Sequence, residues 1–235
     1  MDPRTCVIKK RIEGIKRIIA VAGGKGGIGK SLVSSVMALN LSNMGYRVGL
    51  LDLDFSGPSA HLILGTGRST QPREEKGVIP PTVCGIKFFS LVFYSGKKPS
   101  PLRGIDISNI IKEILCITRW GELDVLVIDM PPGMGDAILD PISLMDAEFL
   151  VVTTPSLVSV GTVSKFLSFL EESGTPSLGV LENMRIKETS RNFFGADFLG
   201  SIKLDLDLEK ALGKPEKLMQ TKFSSELREI MEKVF

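Results

Sequence analysis

The residues Gly24-Lys25-Gly26-Gly27-Ile28-Gly29-Lys30-Ser31 have the types and the order needed to hold a chain of phosphates. They satisfy the pattern G-x-x-x-x-G-K-[ST], with a strand-like run before them and a helix-like run after. Glycines let successive backbone N–H groups curl round phosphate oxygens without side-chain clashes. A helix opening near Lys30 aims its positive end at the same oxygens. Lys30 would neutralise β/γ-phosphate charge, and the Ser31 hydroxyl would ligate Mg²⁺. Gly24, Lys25, Gly26, Gly27, Ile28, Gly29, Lys30, Ser31 and Leu32 are therefore the candidate nucleotide-binding segment, with slow ATP hydrolysis as its chemistry. The generic pattern does not require Lys25. It is either a solvent-facing lysine or a cation offered to the phosphates of a facing subunit, as an arginine finger is in trans.

Three aspartates could complete the site. Asp52 and Asp54 end an apolar run, and strand alternation points them the same way, with Leu53 opposite. One of them can hold a magnesium-bound water while the other positions the attacking water. The second role falls to Asp54, which lies further out in the loop; the alternative is a pair of turn-capping aspartates. Asp129 closes the run DVLVID and is the candidate for holding Mg²⁺ through water. Pro131, Pro132 and Gly133 follow it in the segment that runs on to Met134 and Gly135. Prolines stiffen the exit from the strand and the glycines admit backbone N–H groups to the γ-phosphate, so the segment is a candidate switch.

Elements must position these groups. Ile15–Ala22, Arg47–Asp52, Ile86–Phe93, Asp124–Met130, Phe149–Thr153 and Leu178–Leu181 read as strands, being short, apolar and β-branched. Helical spacing marks Ser31–Met44 (Val33, Met37, Leu41 and Met44 on one stripe, Gly45 as its stop), Ile107–Ile117 and Val158–Glu172. Continuous apolar strands joined by helices imply an α/β fold: a doubly wound, mostly parallel sheet in a three-layer α/β/α arrangement. Ligands in such sheets sit beyond the carboxyl ends of the strands. Gly23 onward, Asp52, Asp54, Asp129 and Asn183 all follow such an end. The loop Gly65–Pro81, rich in Gly, Thr, Pro and charge, is expected to be the most mobile.

With 235 residues, a single domain is expected, with a lead-in at 1–13 and a C-terminal amphipathic helix at 222–235. Apolar content of 43%, charged content of 24% and a net charge of +2 suit a globular protein and give no global field for nucleic acid or an anionic membrane. The basic stretch Lys9, Lys10, Arg11, Lys16, Arg17 reads as a solvated lead-in to the first strand. There is no apolar leader and no apolar run near the roughly 20 residues of a membrane span, so a cytoplasmic protein is expected. Cys6, Cys84 and Cys116 are too few and too dispersed for a disulfide framework or a metal site. Cys84 and Cys116 are expected to be buried packing residues, and Cys6 to be exposed. In the last helix Phe223, Leu227, Ile230, Met231 and Val234 share a face not flanked by excess Lys or Arg. Packing on the sheet is favoured there over membrane docking. His61 reads as a packing or loop residue.

Taken together, the phosphate loop resembles the deviant Walker A motif of the MinD/ParA class of P-loop NTPases, also called SIMIBI. Within it, Asp52-Leu53-Asp54-Phe55-Ser56-Gly57-Pro58-Ser59, Trp120-Gly121-Glu122-Leu123-Asp124, Asp129-Met130-Pro131-Pro132-Gly133, Gly135-Asp136, Glu182-Asn183-Met184 and Phe198–Ile202 are similar to segments of the Mrp/Nbp35 (ApbC-like) ATPases. The resemblance implies a homodimer with ATP at its interface, a cross-subunit role for Lys25, and service as an iron–sulfur cluster carrier or scaffold. It implies partners in iron–sulfur assembly or apo-target proteins, and an adenine contact for Asn183, which the residues alone mark as a strand-end turn residue. A MinD/ParA-like positioning ATPase, docking on membrane, DNA or protein, is the other reading. The carriers' C-x-x-C pair follows the Glu-Asn-Met segment; here Arg185–Asn192 contains no cysteine, and cluster binding requires thiolates.

Overall fold

The computed structural model describes residues 2–55, 57–66, 70–94, 104–133, 135, 139, 142–187 and 196–235. Ser56, Met134, Asp136 and residues 188–192, which figure in the sequence motifs, lie outside them, as does part of the loop 65–81. Helix α1 (Arg4–Ile12) leads into β1 (Ile15–Ala22), α2 (Lys30–Asn43), β2 (Val48–Asp52) and the short α3 (Ala60–Ile63). A two-stranded hairpin, β3 (Arg73–Glu74) with β4 (Val78–Ile79), precedes β5 (Thr82–Val83) and β6 (Ile86–Ser90). Then come α4 (Gly104–Ile117), β7 (Leu123–Asp129), β8 (Glu148–Thr153), α5 (Leu157–Glu172), β9 (Ser177–Arg185), β10 (Phe198–Lys203), α6 (Pro215–Leu218) and α7 (Lys222–Met231).

Among the described residues the main sheet runs β10-β9-β8-β1-β7-β2-β6-β5. Every neighbouring pair is parallel except β5 with β6. Alternate residues of the central strands feed separate cores, as a sheet covered on both faces requires. Ile18, Ala20, Leu51, Leu126 and Ile128 join α4 and α5 on one side. Ile19, Val21, Leu50, Val125 and Val127 join α2 and α7 on the other. This is the expected three-layer α/β/α architecture. Helix α2 ends as its sequence suggests: Gly45 takes a φ of 93°, which an L side chain rarely adopts.

Three features differ from expectation. The basic lead-in is a helix, with Ile8 fully buried and Ile12 packed into the core that also holds Ile111, Ile114 and Leu115 of α4. Three of its charges are tied: Arg11 Nε donates to the Cys116 carbonyl, Lys16 pairs with Asp124, and Arg17 meets Glu148 through two nitrogens, while Lys9 and Lys10 are exposed. The strand expected to reach Phe93 ends at Ser90, whose hydroxyl accepts from the Val92 N–H and turns the chain into a 3₁₀ turn at Leu91–Phe93. Cys84 is not a buried packing residue; it is exposed in the turn between β5 and β6, at a φ of 49°. Cys116 is partly exposed, and Cys6 is exposed as expected.

The C-terminal helix is anchored as its apolar stripe implies. Phe223, Leu227, Ile230 and Met231 are buried against β10 and α2, so the face a membrane would need is committed to the core. Thr221 caps its start by accepting from the Ser224 N–H at 3.2 Å. Among the described residues no helix is long and apolar enough to cross a membrane.

Candidate functional site

β1 ends at Ala22, and from Gly23 the chain makes the glycine-rich loop that feeds the first turn of α2. Gly27 and Gly29 have φ values of 75° and 87°, where a side chain would be strained. At its two ends the loop lies tight against its supports, while Gly26 and Gly27 face open space. A Cβ on Gly24 would overlap Thr162 of α5, and one on Gly29 would overlap the Asn183 amide. Ile28 anchors the loop from within, its side chain buried in the core of α2. Among the described residues, none of the backbone N–H groups from Lys25 to Lys30 has a protein acceptor. Unpaired donors at a helix N-terminus are what an anionic ligand requires.

The sheet register brings the carboxylates to this loop. Asp129 ends β7 between Val21 of β1 and Asp52 of β2, and the Leu53 N–H donates to its carbonyl at 3.0 Å. The two strand-end acids differ sharply in their surroundings. Asp52 is satisfied: Oδ1 accepts from the Asp54 N–H at 3.1 Å and Oδ2 from the Ser90 hydroxyl at 3.0 Å. Asp129 is fully buried, and among the described residues neither of its carboxylate oxygens has a hydrogen-bond partner. Burial pushes both carboxyls well above the usual carboxylate range, and Asp52 adds to the effect on Asp129. The Ser31 hydroxyl approaches Asp129 closely enough to draw its pKa back, while falling outside the geometry of a full hydrogen bond. Lys30 is nearly buried, so desolvation lowers its pKa; Asp129 and Asp54 act against that and favour its charge.

These residues fit a divalent cation. A buried carboxylate with two idle oxygens, beside a serine hydroxyl and a lysine, is a costly arrangement unless a cation or its water shell completes it. Asp129 and Ser31 are the groups placed to hold Mg²⁺ or its waters. Asp52 supports the loop that carries Asp54, and each of its oxygens, accepting one hydrogen bond, keeps a lone pair for a metal-bound water. Asp54 is partly exposed, and its Oδ1 accepts from the Gly57 N–H at 3.0 Å, which fixes the carboxylate at the mouth of the site. Lys25 is partly buried on the loop, and Leu32 lies in the first turn of α2. Pro131 is buried, whereas Pro132 and Gly133 are exposed, with Gly133 at a φ of 96°.

Sequence reasoning missed three contributors: Ser90, which holds Asp52; Thr162, which backs Gly24; and the bond from Asn183 Nδ2 to the Ile28 carbonyl at 2.9 Å. Ser90 closes an apolar strand, and a lone hydroxyl there was the available signal. Thr162 and the Asn183 bond have none, because they depend on how distant strands and helices stack. Among the described residues no group of three or more His, Cys, Asp or Glu side chains could hold a metal ion.

Known proteins share both the sequence and the architecture. The ParA-type family described as NUBPL iron-transfer P-loop NTPase matches residues 14–193. An iron-sulfur cluster carrier protein of Aquifex aeolicus is 35% identical over 243 residues, covering 93% of this chain and 66% of its own length. One of the same name from Saccharolobus solfataricus is 40% identical over 182 residues, covering 75% and 62%. A third, from Methanococcus maripaludis, is 35% identical over 259 residues, covering 100% and 89%. The chain thus spans a little under two thirds of the first two relatives. A nucleotide-binding protein of Archaeoglobus fulgidus, solved with ADP, superposes with a TM-score of 0.76 at 31% identity, covering 94% of this chain and 96% of that one. The septum site-determining protein MinD of Pyrococcus horikoshii, solved with Mg-ADP, shares the fold at a TM-score of 0.67 and 19% identity, covering 93% and 95%.

Proposed function

The chain belongs to the NUBPL iron-transfer family of ParA-type P-loop NTPases, and from that premise we propose that it binds Mg-ATP on Gly24–Leu32, hydrolyses it slowly and acts as a dimeric nucleotide switch in or near iron–sulfur cluster assembly. The observation that carries the nucleotide reading is the pairing of idle donors and an idle acceptor. Among the described residues, the loop's N–H groups have no protein acceptor, and the Asp129 oxygens beside Lys30 and Ser31 have no donor in full hydrogen-bond geometry. Phosphate answers the first and Mg²⁺ the second.

In this reading Lys30 draws charge off the β/γ-phosphates, and Ser31 with Asp129 holds the cation and its waters. Asp54 orients the attacking water, and Asp52 holds a magnesium-bound water while steadying the turn that carries Asp54. Lys25 acts on the phosphates of a facing subunit. Pro131, Pro132 and Gly133 form the segment that responds to the γ-phosphate. Asn183 contacts the adenine edge, to which an amide can both donate and accept.

Calorimetric titration with Mg-ATP tests the first part. Lys30→Ala should weaken binding at least about 100-fold, in line with the loss of a charge-assisted contact. Unchanged binding would refute the assignment of the loop. For the cargo, anaerobic reconstitution with iron and sulfide decides between carrier and switch: bound iron and labile sulfide that Cys6→Ser abolishes would mean carriage on the one exposed N-terminal thiol of each subunit, since no cysteine follows the Glu-Asn-Met segment. A protein that stays colourless with neither would exclude carriage and leave a switch acting on other assembly proteins.

A further inference from the structure

Asn183 ends the buried part of β9 and is 2% exposed. Its amide makes two bonds to the chain. Nδ2 donates to the Ile28 carbonyl in the phosphate loop at 2.9 Å, and Oδ1 accepts from the Met184 N–H at 2.9 Å. Each bond fixes the orientation of the other. A flipped amide would set two acceptors together at Ile28 and two donors together at Met184. Met184 has a φ of 60°, a region that L residues avoid unless their surroundings impose it. The strand end thus leaves extended geometry at the residue directly after the amide, while the Met184 N–H itself bonds Asn183 Oδ1.

The consequence lies on the other side of the loop. A trans peptide sets C=O and N–H on opposite sides of one plane. Tying the Ile28 carbonyl to Asn183 therefore turns the Gly29 N–H away from Asn183. Gly29 lies directly on the amide, since a Cβ there would overlap Nδ2. With no protein acceptor among the described residues for the N–H groups from Lys25 to Lys30, the loop's own donors do nothing there to hold its shape before a ligand arrives. The hold comes from the carbonyl side and from the buried Ile28 side chain.

We propose that Asn183 is a positioning residue for the phosphate loop: its bond to the Ile28 carbonyl, braced by Met184, presets the direction of the loop's N–H groups for any polyphosphate, independently of the base. The inference deepens the nucleotide reading of the loop and rests on it. It assigns Asn183 a contribution to phosphate affinity that a contact to adenine alone would not give.

The test compares wild type, Asn183→Asp and Asn183→Ser with two ligands, ATP and inorganic tripolyphosphate, each with Mg²⁺. Aspartate keeps the shape but faces the Ile28 carbonyl with an acceptor, and serine is too short to reach it. Affinity for both ligands should fall by a common factor of roughly 5- to 100-fold, the range for leaving a buried polar group unpaired. In the nucleotide-free protein, ¹⁵N order parameters at Gly26, Gly27 and Gly29 should fall from about 0.85 toward 0.6 or below. Weaker ATP binding with unchanged tripolyphosphate binding and unchanged order parameters would overturn the proposal and leave Asn183 as a reader of the base. If wild type binds neither ligand, the nucleotide reading fails. The order parameters of whichever variant folds then decide the latch by themselves.

Discussion

At the scale of single residues, the site is defined by an imbalance between two aspartates that stand side by side at strand ends. Asp52 spends both oxygens on Ser90 and the Asp54 N–H, whereas Asp129 keeps both idle. Burial raises both carboxyls, so in the metal-free protein the folded state binds protons more readily than the unfolded chain. Stability from that source is complete below the ordinary carboxylate range and is lost as pH rises through the raised folded values. The metal-free protein should therefore lose thermal stability between about pH 4 and pH 8, and Asp129→Asn should flatten the decline. Mg-ADP should bind more tightly as pH rises over the same window, because the carboxylates must shed protons to accept the cation. A series of melting curves with and without Mg-ADP measures both; a flat wild-type profile would contradict the assignment. The sequence placed both acids at strand ends and could not tell them apart. What separates them is the Ser90 hydroxyl, brought 38 positions along the chain by the pairing of β2 with β6.

At the scale of elements, the strands were legible because a strand buried on both faces has to be almost continuously apolar. β1 and β7 follow that rule. α1 was not legible: Ile8 and Ile12 sit among six basic or polar neighbours, and α4 beneath them gives the pair something to pack on. Ile8→Ala should accordingly cost about 2–4 kcal/mol in denaturant unfolding, the range for emptying a packed aliphatic site. A solvated lead-in would register no change. Leu227→Ala in α7 should cost a similar amount, about 2–5 kcal/mol, and should not alter sedimentation with liposomes. An unaltered midpoint for Leu227→Ala would mean that the helix is not part of the core. The turn that exposes Cys84 escaped a reading based on apolar neighbours. The positive φ values of Cys84 and Gly85 hold the sharp bend between β5 and β6, and the side chain is turned out with it.

At the scale of the molecule, the loop is half of the machine that the family implies. Lys25 stands on it as a cation beyond those that the phosphate loop itself needs. Lys25→Ala should leave ATP binding by a single subunit intact while lowering turnover by about 1,000-fold or more, the usual weight of a charge supplied in trans. Turnover measured against protein concentration reads this directly: wild type should gain specific activity as subunits pair, and the variant should not. Normal turnover in the variant would remove the cross-subunit role.

Helix α5 extends the same logic. Its first two residues, Leu157 and Val158, are 83% and 69% exposed, and one turn later Thr162 abuts Gly24 without even a methyl's clearance. Parts that touch so closely cannot slide past each other; they travel as a single rigid piece. A displacement of the first turn of α5 is therefore passed to Gly24, and with it to the start of the phosphate loop, with no slack between.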